Sequence, residues 1–202
     1  MELFDLPADP AENLLPYNGI VNYYGKVLPY EKATEYFKEL YHNTTWKHDE
    51  SIKYGKIIVA KRQVAWFGER NFDYAYSGTT KKAKPIPEKV RELKALVEQK
   101  TGVEFNSVLL NLYESGEVGI AWHADKEAYF GKEVIIASLT LGAERKFGFK
   151  HRETKETVWK ILEHGSLLVM RGTTQNYWLH HLPPTKKVMA PRINLTFRKI
   201  VE

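Results

Sequence analysis

A histidine and an aspartate that could share a metal ion close a short apolar segment of the sequence. His123 and Asp125 follow the residues Val-Gly-Ile-Ala at 118–121. In a strand, side chains two positions apart point to the same side, so this imidazole and carboxylate would face one way. Together they would form half of a divalent-metal site. A second histidine would complete the two-histidine, one-carboxylate set of non-haem iron centres, which leaves coordination positions open.

Two other histidines also precede a carboxylate by two residues. His48 precedes Glu50, and His151 precedes Glu153. Both pairs lie in strongly charged stretches, which are typical of solvated loops or turns. We therefore interpret these two pairs as solvated. Spacing alone does not distinguish His123 and Asp125 from them, so these two residues could also have a role that involves no metal.

The second histidine of such a centre would come from the segment Trp-Leu-His-His-Leu-Pro at 178–183. Neighbouring residues of an extended chain face opposite ways, so one of His180 and His181 is expected to bind metal. The alternative is that both lie on a loop surface. The residues by themselves do not decide between these possibilities.

Near the C-terminus, polar and apolar residues alternate. The polar set is Arg192, Asn194, Thr196 and Arg198, and the apolar set is Ile193, Leu195 and Phe197. On a sheet edge the polar face would be solvated, which is the commoner case. Inside a barrel, unpaired arginines would be costly unless an anion neutralised them. Because a guanidinium binds a carboxylate through two parallel hydrogen bonds, a dicarboxylate beside the metal would fit this strand.

The secondary structure predicted around these residues changes from helical to mainly β along the chain. Residues 1–16 contain three prolines and are expected to form a loose arm, followed by a strand at 20–24. Apolar residues at helical spacing predict a helix around 33–41 and another from Pro87 to Gly102, both covering one face of a sheet. Strands are then predicted at 105–113, 118–125, 134–141, 145–151, 157–162, 166–171 and 193–199. This pattern favours a mainly β, α+β chain folded as a sandwich or barrel, with a jelly roll among the forms.

The composition narrows the possible functions. The 202 residues are 43% hydrophobic and 27% charged, as in one globular domain. Without cysteine, disulfides, cysteine-bound zinc and thiolate catalysis are excluded. No apolar run approaches the roughly 18 residues of a membrane span, and the acidic start lacks a signal-peptide core, so we expect a prokaryotic cytoplasm, or a nucleus in a eukaryote. The net charge of +5 with 13% aromatic residues favours a polyanionic partner such as nucleic acid.

Five segments between residues 61 and 199 carry a resemblance to a known family. They are Asn111-Leu112-Tyr113, Trp122-His123-Ala124-Asp125-Lys126-Glu127, His164-Gly165-Ser166-Leu167-Leu168, Trp178-Leu179-His180 and 190–198, Ala-Pro-Arg-Ile-Asn-Leu-Thr-Phe-Arg. In this order they resemble the AlkB family of iron(II)- and 2-oxoglutarate-dependent dioxygenases, especially its animal DNA- and RNA-repair branch and bacterial relatives. The last segment is the most specific.

The resemblance implies a double-stranded β-helix, a form of jelly roll, with flanking helices and an N-terminal nucleotide-recognition lid. It implies one domain over 1–202, with the arm, helices and lid in 1–102 and the jelly-roll core in 103–202. It assigns Fe(II) to His123, Asp125 and His180, and leaves His181 a structural role. The residues that it assigns to 2-oxoglutarate are Asn111, Tyr113, Arg192, Asn194, Thr196 and Arg198, with Arg192 at the distal carboxylate.

The implied activity is oxidative demethylation of 1-methyladenine and 3-methylcytosine in single- or double-stranded DNA, with RNA as a further candidate. Formaldehyde leaves the base while 2-oxoglutarate and O2 are consumed and succinate is formed. The base-recognition residues implied are Tyr54, Gln63, Tyr74, Tyr76 and Glu127. Three basic clusters stand apart from the resemblance: Lys81-Lys82-Ala83-Lys84, Lys150-His151-Arg152 and Lys186-Lys187. Any one of them alone is typical of a solvated turn, and beside an aromatic lid we expect at least one to contact phosphates. We expect a monomer without membrane association. The alternatives are a related oxygenase acting on RNA modifications or another substrate, and a non-catalytic basic β-domain that binds nucleic acid.

Overall fold

A computed structural model describes residues 8–53, 56–70, 73–76, 79–125 and 134–201, with the backbone alone for 51–53, 73–76 and 79–81. Within these residues the chain is mainly β. The strands are β1 (Ile20–Lys26), β2 (Lys47–Lys53), β3 (Lys56–Gly68), β4 (Asp73–Tyr76), β5 (Thr79–Lys82), β6 (Lys84–Pro85), β7 (Ser107–Tyr113), β8 (Ile120–His123), β9 (Ile136–Gly142), β10 (Arg145–His151), β11 (Thr157–Leu162), β12 (Ser166–Arg171), β13 (Trp178–Leu182) and β14 (Arg192–Arg198). The helices are α1 (Tyr30–Asn43), α2 (Glu88–Thr101) and α3 (Thr174–Tyr177).

Both long helices form where the apolar spacing predicts them. In α1 the buried residues are Ala33 and Leu40, seven positions apart on one stripe. Helix α2 follows Pro87 and ends at Gly102, whose φ of 68° is left-handed and therefore suits glycine. No helix among the described residues combines the length and the apolar character that crossing a membrane would require.

Two antiparallel sheets form the body of the fold. The larger sheet has the order β1-β12-β9-β14-β7-β3-β2, with β6 paired to β3, and the smaller has the order β11-β10-β13-β8. From β7 onward the chain passes back and forth between them: β7, β9, β12 and β14 join the larger sheet, and β8, β10, β11 and β13 the smaller. This alternation is a jelly roll, so the predicted fold is confirmed. A separate pair, β4 and β5, forms a third sheet.

Apolar residues fill two layers, one on each side of the larger sheet. One layer lies between that sheet and helices α1 and α2, and includes Leu40, Leu93 and Leu195. The other lies between the two sheets, where Phe149 and Trp178 are almost fully buried. Because both faces of the larger sheet are covered, any polar side chain that points from it toward the smaller sheet enters the interior.

Several strand limits differ from the predicted ones for identifiable reasons. The predicted strand at 118–125 is limited to Ile120–His123, and Gly119, just before it, lies close to the carbonyl of Leu182. The strand predicted from 105 begins at 107 because Asn106 instead exchanges hydrogen bonds with the backbone of Ile200. Within the predicted loose arm, Asn13 forms a bridge to β1. Strands β1, β2 and β3 belong to the same sheet as β7, so the larger sheet takes strands from both sides of residue 102.

Candidate metal centre

The predicted metal ligands come from two neighbouring strands of the smaller sheet. His123 ends β8, Asp125 lies two residues further on, and His180 in β13 is directly opposite His123. The centroids of the two imidazole rings are 4.1 Å apart, and His123 Nε2 lies 3.9 Å from Asp125 Oδ1. One possible ligand atom from each residue lies within 4.8 Å of the other two. Strand pairing therefore brings together two imidazoles and one carboxylate.

Both imidazoles can present a neutral nitrogen to a metal ion. His123 Nδ1 lies 2.8 Å from the carbonyl oxygen of Ala121. Because a carbonyl only accepts, Nδ1 carries the proton and Nε2 keeps its lone pair. Burial lowers the pKa of His180 to about 3, and the neighbouring His123 acts in the same direction. Two neutral imidazoles and a carboxylate are the donor set of non-haem iron(II) centres, so these residues fit that ion.

Asp125 is buried and is held in its charged form by a cation. Burial alone would raise the pKa of Asp125, but the positive charge of Arg198 lowers it well below its usual range. Arg198 Nη2 donates to Asp125 Oδ2 at 2.5 Å, and the Asp125 N–H donates to Gln175 Oε1 at 3.0 Å. One carboxylate oxygen is thus fixed by the arginine, while Oδ1 lies on the side of the histidines.

Buried hydrogen bonds and a close glycine contact fix how β8 approaches β13. The guanidinium of Arg145 is buried and donates to the carbonyl oxygens of Gly116 and Pro183 at 3.0 and 2.8 Å. A Cβ on Gly119 would lie only 2.3 Å from the Leu182 carbonyl oxygen, so a larger residue there would push the strands apart. The segment before β8 is therefore clamped to the end of β13, which sets the separation of the two histidines.

The polar face of β14 points into the space between the sheets. Strand β14 lies between β9 and β7, and its apolar residues face the helices, as buried residues such as Leu195 show. Asn194 Nδ2 donates to Ser138 Oγ at 2.8 Å, and its Oδ1 accepts from Thr196 Oγ1 at 3.2 Å. The solvated alternative for this strand is therefore wrong: the polar residues face inward and are tied to their neighbours.

Arg192 carries a buried charge that calls for an anion. It is 2% exposed, its Nη2 donates to Thr140 Oγ1 at 2.8 Å, and its guanidinium carbon lies 5.5 Å from the centre of the Tyr113 ring. Among the residues the structure describes, no carboxylate pairs with it, and its Nε has no hydrogen-bond partner. Burial lowers its pKa to about 10, so it is still a cation at neutral pH. A small carboxylate ligand would satisfy this charge, which fits a dicarboxylate cosubstrate.

A cavity of about 140 Å³ lies beside the three candidate ligands. This volume has room for on the order of ten water-sized groups, which is about the number of non-hydrogen atoms in a five-carbon diacid. Of the residues assigned to 2-oxoglutarate, those that line it are Asn111, Tyr113, Asn194, Thr196 and Arg198. Arg192 is outside this lining, next to Tyr113.

An ion pair that the sequence analysis missed also lines this cavity. Asp49 on β2 and Arg62 on β3 have side chains only 9% and 15% exposed, and Arg62 Nη2 donates to Asp49 Oδ2. Arg62 Nε donates to Asn111 Oδ1 at 3.2 Å. The interpretation of the stretch around His48 as a solvated loop is therefore wrong. The residues of β2 are nearly all polar, so no apolar alternation indicated which side chains face inward.

The remaining histidines have distinct surroundings. His181 faces away from His180, and its Nδ1 donates to the Ile120 carbonyl oxygen at 2.7 Å. His151, interpreted as solvated, is only 1% exposed and its Nδ1 accepts from the backbone N–H of Thr154, so that interpretation is also wrong.

The residues assigned to base recognition are only partly described. Gln63 lies on β3, where its Nε2 donates to Glu114 Oε1 at 3.1 Å, and it does not line the cavity. Tyr74 and Tyr76 belong to β4, of which only the backbone is described. Tyr54 and Glu127 lie outside the described residues. The assignment of all five residues to base recognition stays a prediction.

Three comparisons with known proteins bear on this geometry. The family model described as the 2OG-Fe(II) oxygenase superfamily matches residues 20–198. The DNA oxidative demethylase ALKBH2 of Bos taurus is 42% identical over 159 residues, which cover 73% of this chain and 56% of that protein. The alpha-ketoglutarate-dependent dioxygenase alkB homolog 3 of Homo sapiens is 36% identical over 180 residues, covering 84% of this chain and 62% of that protein.

A solved structure, that of OsALKBH1, has the same fold with a TM-score of 0.64 at 15% identity, covering 92% of this chain and 99% of that one. The chain spans 56% and 62% of the lengths of the two curated relatives. The match over residues 20–198 includes both sheets, the three candidate ligands and the arginine-bearing strand. The chain belongs to the 2OG-Fe(II) oxygenase superfamily and, within it, to the AlkB family.

Proposed function

We propose that this protein is an Fe(II)- and 2-oxoglutarate-dependent oxygenase that demethylates 1-methyladenine and 3-methylcytosine in DNA, acting as a monomer. RNA is a second polymer to be tested. The observation that carries the proposal is the convergence of His123, Asp125 and His180 beside a cavity sized for a small diacid. The names of the two curated relatives, a DNA oxidative demethylase and an alpha-ketoglutarate-dependent dioxygenase, support the same reaction.

The described residues would have separate roles in such a site. His123, Asp125 and His180 would hold Fe(II), and Arg192 would pair with one carboxylate of 2-oxoglutarate. With 2-oxoglutarate and O2, the bound iron supplies the oxidation by which an N-methyl carbon leaves as formaldehyde while 2-oxoglutarate yields succinate and CO2. Arg198 keeps Asp125 charged and oriented, so that a carboxylate oxygen stays available to the metal.

The apolar part of the cavity wall limits access of water. Ile120, Phe147 and Met170 line it, and the Phe147 ring lies 5.8 Å from that of His180. A dry wall strengthens the charge interactions of the site and protects a reactive centre from side reactions. The net charge of +5 would attract a polyanionic substrate.

The proposal is tested by supplying Fe(II), ascorbate and 2-oxoglutarate with three methylated substrates: single-stranded DNA, duplex DNA and RNA. Mass spectrometry measures loss of the methyl group, and succinate is measured in parallel. We expect loss of methyl from DNA, abolished in His123→Ala and Asp125→Ala but unchanged in His42→Ala, which removes an exposed histidine of α1. If all three substrates keep their methyl groups, or if the double variant at His123 and Asp125 stays active, the proposal is wrong.

A further inference from the structure

The outer face of the smaller sheet carries aromatic and cationic side chains that the proposed reaction does not use. We call it the aromatic–lysine face, and its residues are Trp122, Lys146, Lys150, Trp159 and His181. They occupy outward positions of β8, β10, β11 and β13, alternating with inward residues such as His123 and His180. This face is therefore the reverse side of the two strands that supply the metal ligands.

Its rings form a continuous cluster. The Trp122 ring stacks on that of His181 with centroids 4.6 Å apart, and it meets the Trp159 ring edge-on at 5.9 Å. Trp159 lies over Gly148, where a Cβ would come within 2.4 Å of its Cζ3 atom. Trp159 nevertheless stays 39% exposed. Glycine thus lets a large ring settle on the sheet with part of its surface open to solvent.

The face is positively charged. Lys146 Nζ lies 4.4 Å from the centre of the Trp159 ring, and Lys150 Nζ lies at the same distance from Trp122. Neither lysine forms an ion pair within the described part of the chain. The outward residues of these strands also include Gly148, Thr157, Ile161 and Leu179, and none of this set is acidic. Within the described residues, therefore, no carboxylate competes with an anionic partner for these two ammonium groups.

We propose that the aromatic–lysine face binds a single-stranded stretch of nucleic acid, with bases on Trp159 and Trp122 and phosphates near Lys146 and Lys150. Exposed rings beside cations are the general means of holding single strands without reading their sequence. A protein partner would favour a broader apolar patch than Trp159 and Ile161, which are exposed beside two lysines. The inference rests on the proposed function in one respect: it assumes that the strand bound here is part of the same molecule as the methylated substrate.

The test measures binding of a fluorescently labelled, unmethylated single-stranded DNA to the full chain. Trp159→Ala should weaken binding about tenfold, because one stacked base is lost. The double variant Lys146→Ala/Lys150→Ala should reduce the salt dependence, with the slope of log affinity against log salt falling by about 0.7 for each lysine. Matched controls are Tyr30→Ala, a 70% exposed aromatic residue of α1, and Lys38→Ala/Lys100→Ala on the helices, all expected to bind like the parent.

Trp159→Leu, which keeps an apolar side chain over Gly148, guards against a folding defect and should lose affinity as Trp159→Ala does. Parent-like binding by the folded Trp159→Leu protein would overturn the inference. That is also the result expected if the face binds a protein partner instead of nucleic acid. Demethylation activity is the second measurement. A methylated trinucleotide should be demethylated equally by the parent and by Trp159→Leu, whereas a long methylated strand should have a higher KM with the variant. If the parent demethylates neither, the proposed function fails, while the binding measurements still decide the role of this face.

Discussion

Replacing Asp49 by alanine would leave the guanidinium of Arg62 buried beside the cavity without its carboxylate. Arg62 also donates to Asn111, one of the residues assigned to 2-oxoglutarate, so the change should affect both stability and cosubstrate binding. The pair is close to fully buried, at 9% and 15% exposure. Breaking a buried pair by removing one partner costs about 3–5 kcal/mol, because the other charge stays uncompensated.

The lower end of that range applies here, because the Arg62 side chain stays 15% exposed and its charge is therefore partly solvated. We therefore expect the free energy of unfolding to fall by about 3 kcal/mol. For a chain of this length, each kcal/mol moves the Tm by about 2–4 °C, so Asp49→Ala should melt about 6–12 °C below the parent. Thermal unfolding is followed on the metal-free protein in chelator, so that metal binding does not add to the Tm.

An exposed ion pair on α1 provides the control. Lys32 and Glu35 are 57% and 55% exposed, so Glu35→Ala should lower the Tm by no more than about 2 °C. Adding Arg62→Met to Asp49→Ala should recover stability, since neither charge of this pair remains buried, but should not recover 2-oxoglutarate affinity, since the hydrogen bond to Asn111 is gone. A Tm for Asp49→Ala within about 2 °C of the parent, matching the surface control, would show that the buried pair does not stabilise the fold.

Three further outcomes are expected. Gly119→Ala should weaken Co(II) binding about tenfold in titration calorimetry, because its methyl group would separate β8 from the Leu182 carbonyl. Arg192→Met should leave the Tm of the metal-free protein no lower than the parent's, since it removes a buried cation, yet weaken 2-oxoglutarate binding by about thirtyfold or more. Burial lowers the pKa of His164 below its ordinary 6.5, and its Nδ1 accepts the N–H of Gly142. Because the unfolded chain binds that proton first as the pH falls, stability should be complete above pH 6.5 and decline below it, and His164→Gln should flatten this part of a urea-denaturation profile.

Much of the site could be predicted because its residues follow strand periodicity. His123 and Asp125 lie two positions apart, and the polar residues of β14 alternate with apolar ones, so the sequence indicated which side chains share a face. Choosing His180 over His181 required the family resemblance, since alternation says only that neighbours point opposite ways. The structure provides the physical reason for that choice, because the register of β13 on β8 places His180 opposite His123.

The two helices, most strands of the jelly roll and the donor set of the metal centre could be predicted from the residues, because each depends on a local period or on residue chemistry. Three features are visible only in the folded molecule. Asp49 and Arg62 meet beside Asn111, Arg192 is buried without a carboxylate among the described residues, and the lysines of β10 lie over Trp122 and Trp159. These features depend on which strands pair and in what register. A charged or glycine-containing strand carries no apolar pattern that would reveal its neighbours, so they are set by packing across the sheets.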